Sequence, residues 1–234
     1  MPKKIKIILQ VLIVILLTSA LGYYFYSDYL KTVIQKDPKT ETIEKITTLK
    51  FIKEDLDEET KNEYQEDFKS AVEEFINSSE TVEAFWSLIK IEQIKELAGD
   101  YDGAKQALIK AIELQPGSYL AHANLANLYF RHYQDFAKAE EHYLKAIEPL
   151  DSRVVVYYYD LHEIYRYFYK TDTTLAEDIL KQGIERYPAE TNLMAILAHY
   201  YKSLDRKEEA IEYYQKILEI NPDSEVAKRE LEGL

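Results

Sequence analysis

The chain has 234 residues, of which 47% are hydrophobic and 30% are charged, a balance typical of a folded globular protein rather than a collagen-like or disordered one. Its 42 acidic residues outnumber 29 basic ones, and this excess opposes binding to the phosphate backbone of nucleic acids. Cysteine is absent, so the sequence excludes disulfides, thiolate metal sites and a cysteine nucleophile.

The first 27 residues differ from the rest of the chain. Three lysines precede Ile7–Ser27, a stretch of 21 residues without a charge. A helix over about residues 7–26 would be roughly 30 Å long, which matches the hydrocarbon core of a bilayer. The aromatic run Tyr23–Tyr26 is typical of the membrane interface. We therefore expect an N-terminal transmembrane helix, a signal-anchor, within residues 1–27.

The flanking charges predict how this helix is oriented. The lysines before the span, against only Asp28 and Lys31 just after it, favour a cytoplasmic N-terminus. We expect a single-pass membrane protein whose remaining residues lie on the extracytoplasmic side. The alternative is a signal peptide cleaved after the small residues Thr18-Ser19-Ala20, which would give a secreted protein. The apolar span exceeds the usual core of about 7 to 15 residues and so favours the anchor.

Residues 28–80 form a polar connector that ends in an amphipathic helix. Within it, Lys39–Lys53 carries apolar residues at three-residue intervals, a spacing that fits a short helix or a strand and leaves both open. Between Asp57 and Ser78 the apolar residues follow one helical stripe, and Asp57 is suited to cap the helix. We expect this helix to cover the apolar face of the helices that follow.

A pattern of small and bulky residues occurs four times between Thr81 and Pro222. A small residue is followed by a bulky one at +4, in three copies by a small one at +7 and in three copies by proline at +12. The first three positions share one face of a helix, where small side chains let a neighbouring helix approach, and proline ends the helix. The alanines that begin the copies are 35, 37 and 34 residues apart, a period typical of helix-turn-helix arrays. They are Ala104, Ala139, Ala176 and Ala210.

The segment upstream of each copy has its own frame: a bulky, an apolar, a small and an aromatic residue at spacings of three, one and three. Two copies fit it fully, a third has histidine at the small position, and in the first only the apolar pair fits. In chain order the four sets are Leu88, Ile91, Glu92 and Lys95; His122, Leu125, Ala126 and Tyr129; Tyr158, Leu161, His162 and Tyr165; Met194, Leu197, Ala198 and Tyr201.

With both frames, residues 81–222 resemble the tetratricopeptide repeat (TPR) family. The resemblance implies an all-α fold, a right-handed superhelical array of helix-turn-helix repeats behind the transmembrane helix. The four repeats would span about residues 83–118, 119–152, 153–189 and 190–223. A short capping helix would follow over residues 223–234, with Asp223 or Ser224 as its cap.

Nothing in the sequence indicates catalysis. His122, His132 and His142 are ten residues apart, which turns each by about 80° around a helix, so periodicity does not bring them together. His162 and Glu163 begin a helical zinc motif, but Arg166 stands where its second histidine is required. We expect no enzyme activity, no catalytic residue, no metal and no cofactor.

The resemblance also implies a groove, lined by the first helices of the repeats, that binds a protein or peptide partner. The aromatic run between Tyr157 and Tyr169 is dense enough to cover every side of a helix, so some rings must lie outside the core. The positions that correspond to the groove are Trp86, Lys90, Gln93, Asn124, Asn127, Arg131, Tyr159, Asp160, Glu163, Arg166, Tyr167, Asn192, His199 and Lys202.

One binding mode of the family is not expected. Its chaperone-binding members hold a C-terminal carboxylate with lysine, asparagine and arginine side chains. One asparagine remains at these positions, and an aspartate replaces the arginine. The residues found there are Ile89, Gln93, Asn124, Val156 and Asp160.

Together these features predict a membrane-anchored, non-enzymatic scaffold or adaptor that binds a protein partner, with envelope protein assembly or secretion as the setting that the resemblance suggests. The excess of acidic residues fits a basic or hydrophobic partner surface better than an acidic one. The alternative is a structural subunit packed permanently in a homo- or hetero-oligomeric membrane complex. The oligomeric state does not follow from the sequence.

Overall fold

The computed structural model describes residues 38–234, which form eleven α-helices and no strands. The predicted transmembrane helix lies outside these residues. Within them, no helix combines the length and apolar character needed to cross a membrane. The helices are α1 (Pro38–Thr47), α2 (Glu58–Asn77), α3 (Thr81–Ala98), α4 (Tyr101–Leu114), α5 (Tyr119–Leu128), α6 (Phe136–Ala146), α7 (Val156–Tyr167), α8 (Leu175–Arg186), α9 (Thr191–Ser203), α10 (Lys207–Ile220) and α11 (Glu225–Glu232).

Consecutive helices pack in four pairs: α3 with α4, α5 with α6, α7 with α8 and α9 with α10. Each pair also packs against the next, so the helices form an array. Small residues make the close approach possible. The four alanines of the repeating pattern are buried, and a Cβ added to Gly183 would lie 2.8 Å from Leu193 Cδ1 and 2.9 Å from Tyr158 Cγ. The limits of the four repeats stay predictions.

The buried apolar residues form two clusters that meet at α5. The first extends from Ile46 to Leu128 and the second from Ala126 to Ala227. Because neighbouring residues of α5 belong to different clusters, this helix joins the two halves of the array.

The connector covers the open end of the first pair with both of its helices. Lys39–Lys53, where the sequence left helix and strand open, forms α1 and then a non-helical segment over residues 48–53. The backbone N–H groups of Ile52 and Lys53 both donate to the Ala98 carbonyl, at 2.9 and 3.2 Å. α1 packs against α4, whereas α2, capped by Asp57, packs against α3. Neither helix of the first pair is therefore left exposed at this end.

Each pair turns through one residue in the left-handed conformation. The φ angles are +83° at Gly99, +53° at Gln134 and +57° at both Lys170 and Asp205. These residues recur every 35 or 36 positions, so the turns follow the period of the helices. Only the first is a glycine, the residue for which this conformation carries no steric cost.

The first pair buries all four positions of the α3 frame, although only Leu88 and Ile91 fit it by residue type. Glu92 and Lys95 occupy the remaining two positions and are just as buried. The Lys95 ammonium donates to Asp100 Oδ2 at 2.7 Å and to the Thr48 carbonyl at 2.5 Å. A buried charge needs such partners, because its transfer out of water is otherwise very unfavourable.

Glu92 is satisfied differently. Asn124 Nδ2 of α5 donates to Glu92 Oε2 at 3.0 Å. The pKa of Glu92 is raised to about 8, mainly by burial, with the Asn124 bond lowering it and the neighbouring Glu96 raising it. The position that holds alanine in the second and fourth repeats therefore holds an acid whose neutral form is favoured by burial.

The last helix, α11, is short. Ser224 Oγ accepts from the Ala227 N–H at 3.4 Å and so caps its first turn, as one of the two expected residues. α11 packs on α10, and Ala227 is its one fully buried residue.

Candidate partner-binding face

All predicted groove residues lie on α3, α5, α7 and α9, or on the π-helical turn Tyr129–Tyr133 that extends α5. We call these fourteen residues the groove face. Its large exposed hydrophobic side chains are Trp86 (52% exposed), Tyr159 (37%) and Tyr167 (56%). Other members are half-buried between neighbouring helices: Asn124, Asn127, Asp160, Glu163, Arg166 and Lys202.

Several groove-face side chains make polar contacts with a neighbouring helix. Lys90 Nζ of α3 lies 2.7 Å from Glu74 Oε2 of α2. Further along the array, Arg166 Nη2 of α7 donates to Ser203 Oγ of α9 at 2.9 Å. Finally, Lys202 Nζ lies 2.9 Å from Glu230 Oε2 of α11. Two of these contacts join first helices: the Asn124–Glu92 bond joins α5 to α3, and the Arg166–Ser203 bond joins α7 to α9.

Two groove-face asparagines form hydrogen bonds that connect helices of the array. Asn124 is the partner of the buried Glu92. Asn127 Oδ1 accepts a hydrogen bond of 2.7 Å from the hydroxyl of Tyr143, a core residue of α6. Because both side chains are hydrogen-bonded within the array, contact with a partner is expected mainly from the neighbouring groove-face residues.

The tyrosine-rich α7 separates its rings between core and surface. Tyr158 and Tyr165 are buried, whereas Tyr159, Tyr167 and the following Phe168 are exposed. The expectation that some rings of this run lie outside the core is therefore confirmed. The Arg166 guanidinium lies 4.8 Å from the Tyr167 ring centre, a cation–π contact that helps to position the ring.

Polar groups surround these rings. The Tyr159 hydroxyl donates to Glu163 Oε1 at 2.6 Å, and this bond raises the pKa of Tyr159 to about 12. Burial raises the pKa of Asp160 to about 6, although the Arg131 guanidinium lowers it. The centre of the face is thus a surface of rings bordered by charged groups of both signs.

Two of the carboxylate-clamp positions differ in their surroundings. Ile89 is buried in the core and Val156 is exposed. Asp160 brings a further carboxyl group to the face, which would repel a carboxylate.

Two of the three evenly spaced histidines meet, although periodicity along one helix does not bring them together. His122 Nδ1 and His142 Nδ1 lie 3.0 Å from each other, because one belongs to α5 and the other to the α6 helix packed against it. His122 Nε2 lies 3.0 Å from the Pro116 carbonyl, which can only accept. His122 Nε2 therefore carries the hydrogen, and His142 Nδ1 donates to His122. Periodicity along one helix could not reveal this contact.

The histidine pair is held neutral. Burial, together with the neighbouring His122, lowers the pKa of His142 to about 4; burial also lowers the pKa of His122. Among residues 38–234, no group of three or more histidine, cysteine, aspartate or glutamate side chains is arranged to hold a metal ion.

Two segments of the chain match models of the tetratricopeptide repeat, residues 98–153 and residues 192–224. The chain therefore contains TPR repeats, and its described part is an all-α helical array. Proteins built from these repeats are generally interaction scaffolds.

Comparison with solved structures gives similar chains at low identity. A crystal structure of MamA is 21% identical, with a TM-score of 0.49, and the match covers 71% of this chain and 96% of MamA. YrrB, described as a TPR protein with an unusual peptide-binding site, is 15% identical, with a TM-score of 0.46 over 75% of this chain and 87% of YrrB. MamA from Desulfovibrio magneticus RS-1, from residue 41 to its end, is 17% identical, with a TM-score of 0.45 over 70% and 94%. No curated protein sequence matches the chain.

Proposed function

We propose that this protein is a non-enzymatic, membrane-anchored scaffold that binds a protein or peptide partner on the groove face. The observation that carries the proposal is the exposure of Trp86, Tyr159 and Tyr167 on helices that also form the packed array. Large aromatic rings provide contact area at a small cost in side-chain entropy, and they are frequent among residues that dominate binding energy.

The membrane part of the proposal is supported by the sequence of residues 1–27. We propose that this segment stays in the membrane with its N-terminus in the cytoplasm, so that the TPR array lies on the extracytoplasmic side. Protease added to right-side-out vesicles should then digest the array and spare the anchor. Complete protection of the array would reverse the orientation, and release of the array without protease would indicate cleavage.

The groove face is tested by separating binding from folding. The partner is first captured from membranes by crosslinking to the full chain. Replacing Tyr159 and Tyr167 by alanine should leave the thermal melt nearly unchanged but weaken partner binding by about 2 kcal/mol or more, roughly 30-fold. Leu144→Ala, which also removes an exposed apolar side chain but on α6, is the matched control and should bind normally.

A second control defines the core. Leu161→Ala should cost about 2 to 5 kcal/mol of stability, because Leu161 is fully buried and its truncation leaves a cavity. If the double tyrosine variant unfolds as Leu161→Ala does, the two rings are part of the core. If it folds and binds normally, the partner uses another surface and the proposal fails.

The alternative of a permanent structural subunit predicts a different behaviour in solution. The full chain in detergent would remain a large assembly on dilution, as measured by light scattering. A scaffold that binds its partner reversibly would not remain in a large assembly on dilution.

A further inference from the structure

A channel runs between α2 and α3 at the first end of the groove face. A depression of about 450 Å³ lies beside Val82 and Trp86, and a second of about 330 Å³ lies beside Lys90 and Ile94. Glu74 of α2 lines both, so the two depressions adjoin at this residue; together we call them the α2–α3 channel. From Val82 to Ile94 it follows α3 for roughly 18 Å, which matches five or six residues of extended chain.

One end of the channel is apolar. Val82 and Trp86 are both more than half exposed, although both are large apolar side chains. The Trp86 ring packs edge-on against Phe85, with ring centres 5.3 Å apart, and Phe85 is buried. The indole is therefore held in place by the core while its other face remains open to an apolar side chain.

The walls of the channel are acidic. Asp67, Glu74 and Glu83 line it, against Lys90 as the one basic lining residue. Lys90 is already paired with Glu74 at 2.7 Å, whereas Asp67 and Glu83 have no ion-pair partner within residues 38–234. α2 adds to this field, with seven acidic residues and two lysines among its 20 residues. At Asp67 and Glu83, an incoming cation would meet carboxylates that no side chain of the described residues pairs with.

We propose that the α2–α3 channel binds a cationic segment of a partner protein that also carries a large apolar side chain. Lysine or arginine side chains of the segment pair with Asp67 and Glu83, and the apolar side chain packs on Trp86 and Val82. This inference rests on the proposed function, because it states the chemistry of the partner at one end of the groove face. Charge complementarity selects the occupant, since an acidic segment would be repelled by the same walls.

Trp86 is the one tryptophan of the chain, so its fluorescence reports directly on the channel. The probe is an acetylated hexapeptide of alternating lysine and leucine, titrated into the full chain in micelles of an uncharged detergent. We expect a saturable blue shift of the Trp86 emission and a binding constant that weakens as salt is added. A hexapeptide of alternating glutamate and leucine should give no shift.

The variant Asp67→Asn/Glu83→Gln should weaken binding of the lysine peptide at least tenfold and leave the melt unchanged, because both side chains are exposed. Its matched control is Glu185→Gln/Glu219→Gln, which removes the same charge from exposed positions on α8 and α10. The control should bind as the unmodified chain does.

Two results would overturn the proposal. The first is equal binding of the lysine and glutamate peptides, and the second is equal weakening of binding by the two charge variants. Either result would mean that the peptide is attracted without binding specifically in the channel. Failure of the channel is distinguishable from failure of the proposed function. If the channel variant binds the peptide normally while Tyr159→Ala/Tyr167→Ala loses the captured partner, the channel inference is wrong and the scaffold function stands. If the tyrosine variant also keeps its partner, both are wrong.

Discussion

The first helix pair and the fourth fill the same four positions with different chemistry. α9 buries Met194, Leu197, Ala198 and Tyr201, which are an apolar set apart from one hydroxyl. The equivalent residues of α3 are Leu88, Ile91, Glu92 and Lys95, and they are buried to the same degree. The position in the repeat therefore determines whether a side chain is buried. A polar side chain can fill a buried position where neighbouring segments provide hydrogen-bonding partners for it.

The difference lies in where the partners come from. Lys95 and Glu92 are satisfied by the Thr48 carbonyl, Asp100 and Asn124. Of these, Thr48 belongs to the connector and Asn124 to the second pair. The first pair thus depends on specific polar groups on both of its sides. The fourth has one such contact, from the Tyr201 hydroxyl to Glu177 Oε1 at 2.9 Å, and otherwise relies on apolar contacts that tolerate variation in detail.

Breaking the buried ion pair should have the largest effect. Lys95→Met keeps most of the side-chain volume but leaves the buried Asp100 carboxylate without its cation, a change that costs about 3 to 5 kcal/mol. Chemical denaturation of the full chain measures the loss. The variant Lys95→Met/Asp100→Asn should recover part of it, and full stability of the single variant would show that the ion pair does not support the first pair.

The corresponding change in the fourth pair should depend on volume alone. Leu197→Ala removes a fully buried side chain and should cost about 2 to 5 kcal/mol through a cavity. No second polar substitution should rescue it. Leu204→Ala, at a half-exposed position just after α9, is the control and should change stability by less than about 0.5 kcal/mol.

The first pair should also make stability depend on pH. Because the pKa of Glu92 is raised from 4.5 to about 8, the folded state binds more protons than the unfolded state between these values. Its contribution is complete below about pH 4.5 and is lost as the pH rises towards 8, with a slope approaching about 1.4 kcal/mol per pH unit. Glu92→Gln should remove this slope.

The measurement belongs between pH 6.5 and 8. Burial lowers the pKa of His122, His142 and His162 below 6.5, so their contributions rise with pH only up to about that value. Above pH 6.5, the contribution of Glu92 to the pH dependence of stability can therefore be measured apart from theirs. An equal slope in Glu92→Gln would contradict a buried acid that ionises in this range.

The smallest expected effects concern the turns, where the first pair has a glycine and the second does not. Gly99→Ala places a Cβ 3.2 Å from the Lys53 backbone nitrogen at φ +83° and should cost about 1 to 2 kcal/mol. Gln134→Gly should instead gain about 0.5 kcal/mol, because relief of left-handed strain outweighs the entropy cost of glycine. Thermal melts decide both, and a loss in Gln134→Gly would mean that the turn is not strained.

The features that could be predicted from the sequence are those that depend on residue type and on spacing along a single helix. The small residues Ala104, Ala139 and Ala176 are buried because they recur on one face of the second helices. The partners of Lys95 and Glu92 could not be predicted in this way, since Thr48 and Asn124 are 47 and 32 residues away.

The same limit applies to the histidine pair and to the candidate site. The register of the repeats placed side chains on the groove face, but only the structure shows that Asn127 is already bonded to Tyr143. The left-handed turns at Gln134 and Lys170 carry no signal in their residue types. The groove face as a binding site, like the anchor, stays a prediction.

The contacts of residues 48–53 also determine how the molecule carries mechanical load. The hydrogen bonds from Ile52 and Lys53 to Ala98, with that from Lys95 to Thr48, close a loop of chain that contains α2 and most of α3. Tension applied through Pro38 would pass across this closure directly into the rest of the array. The enclosed loop would carry no tension until these hydrogen bonds rupture. The α2–α3 channel would therefore keep its shape while the chain is pulled.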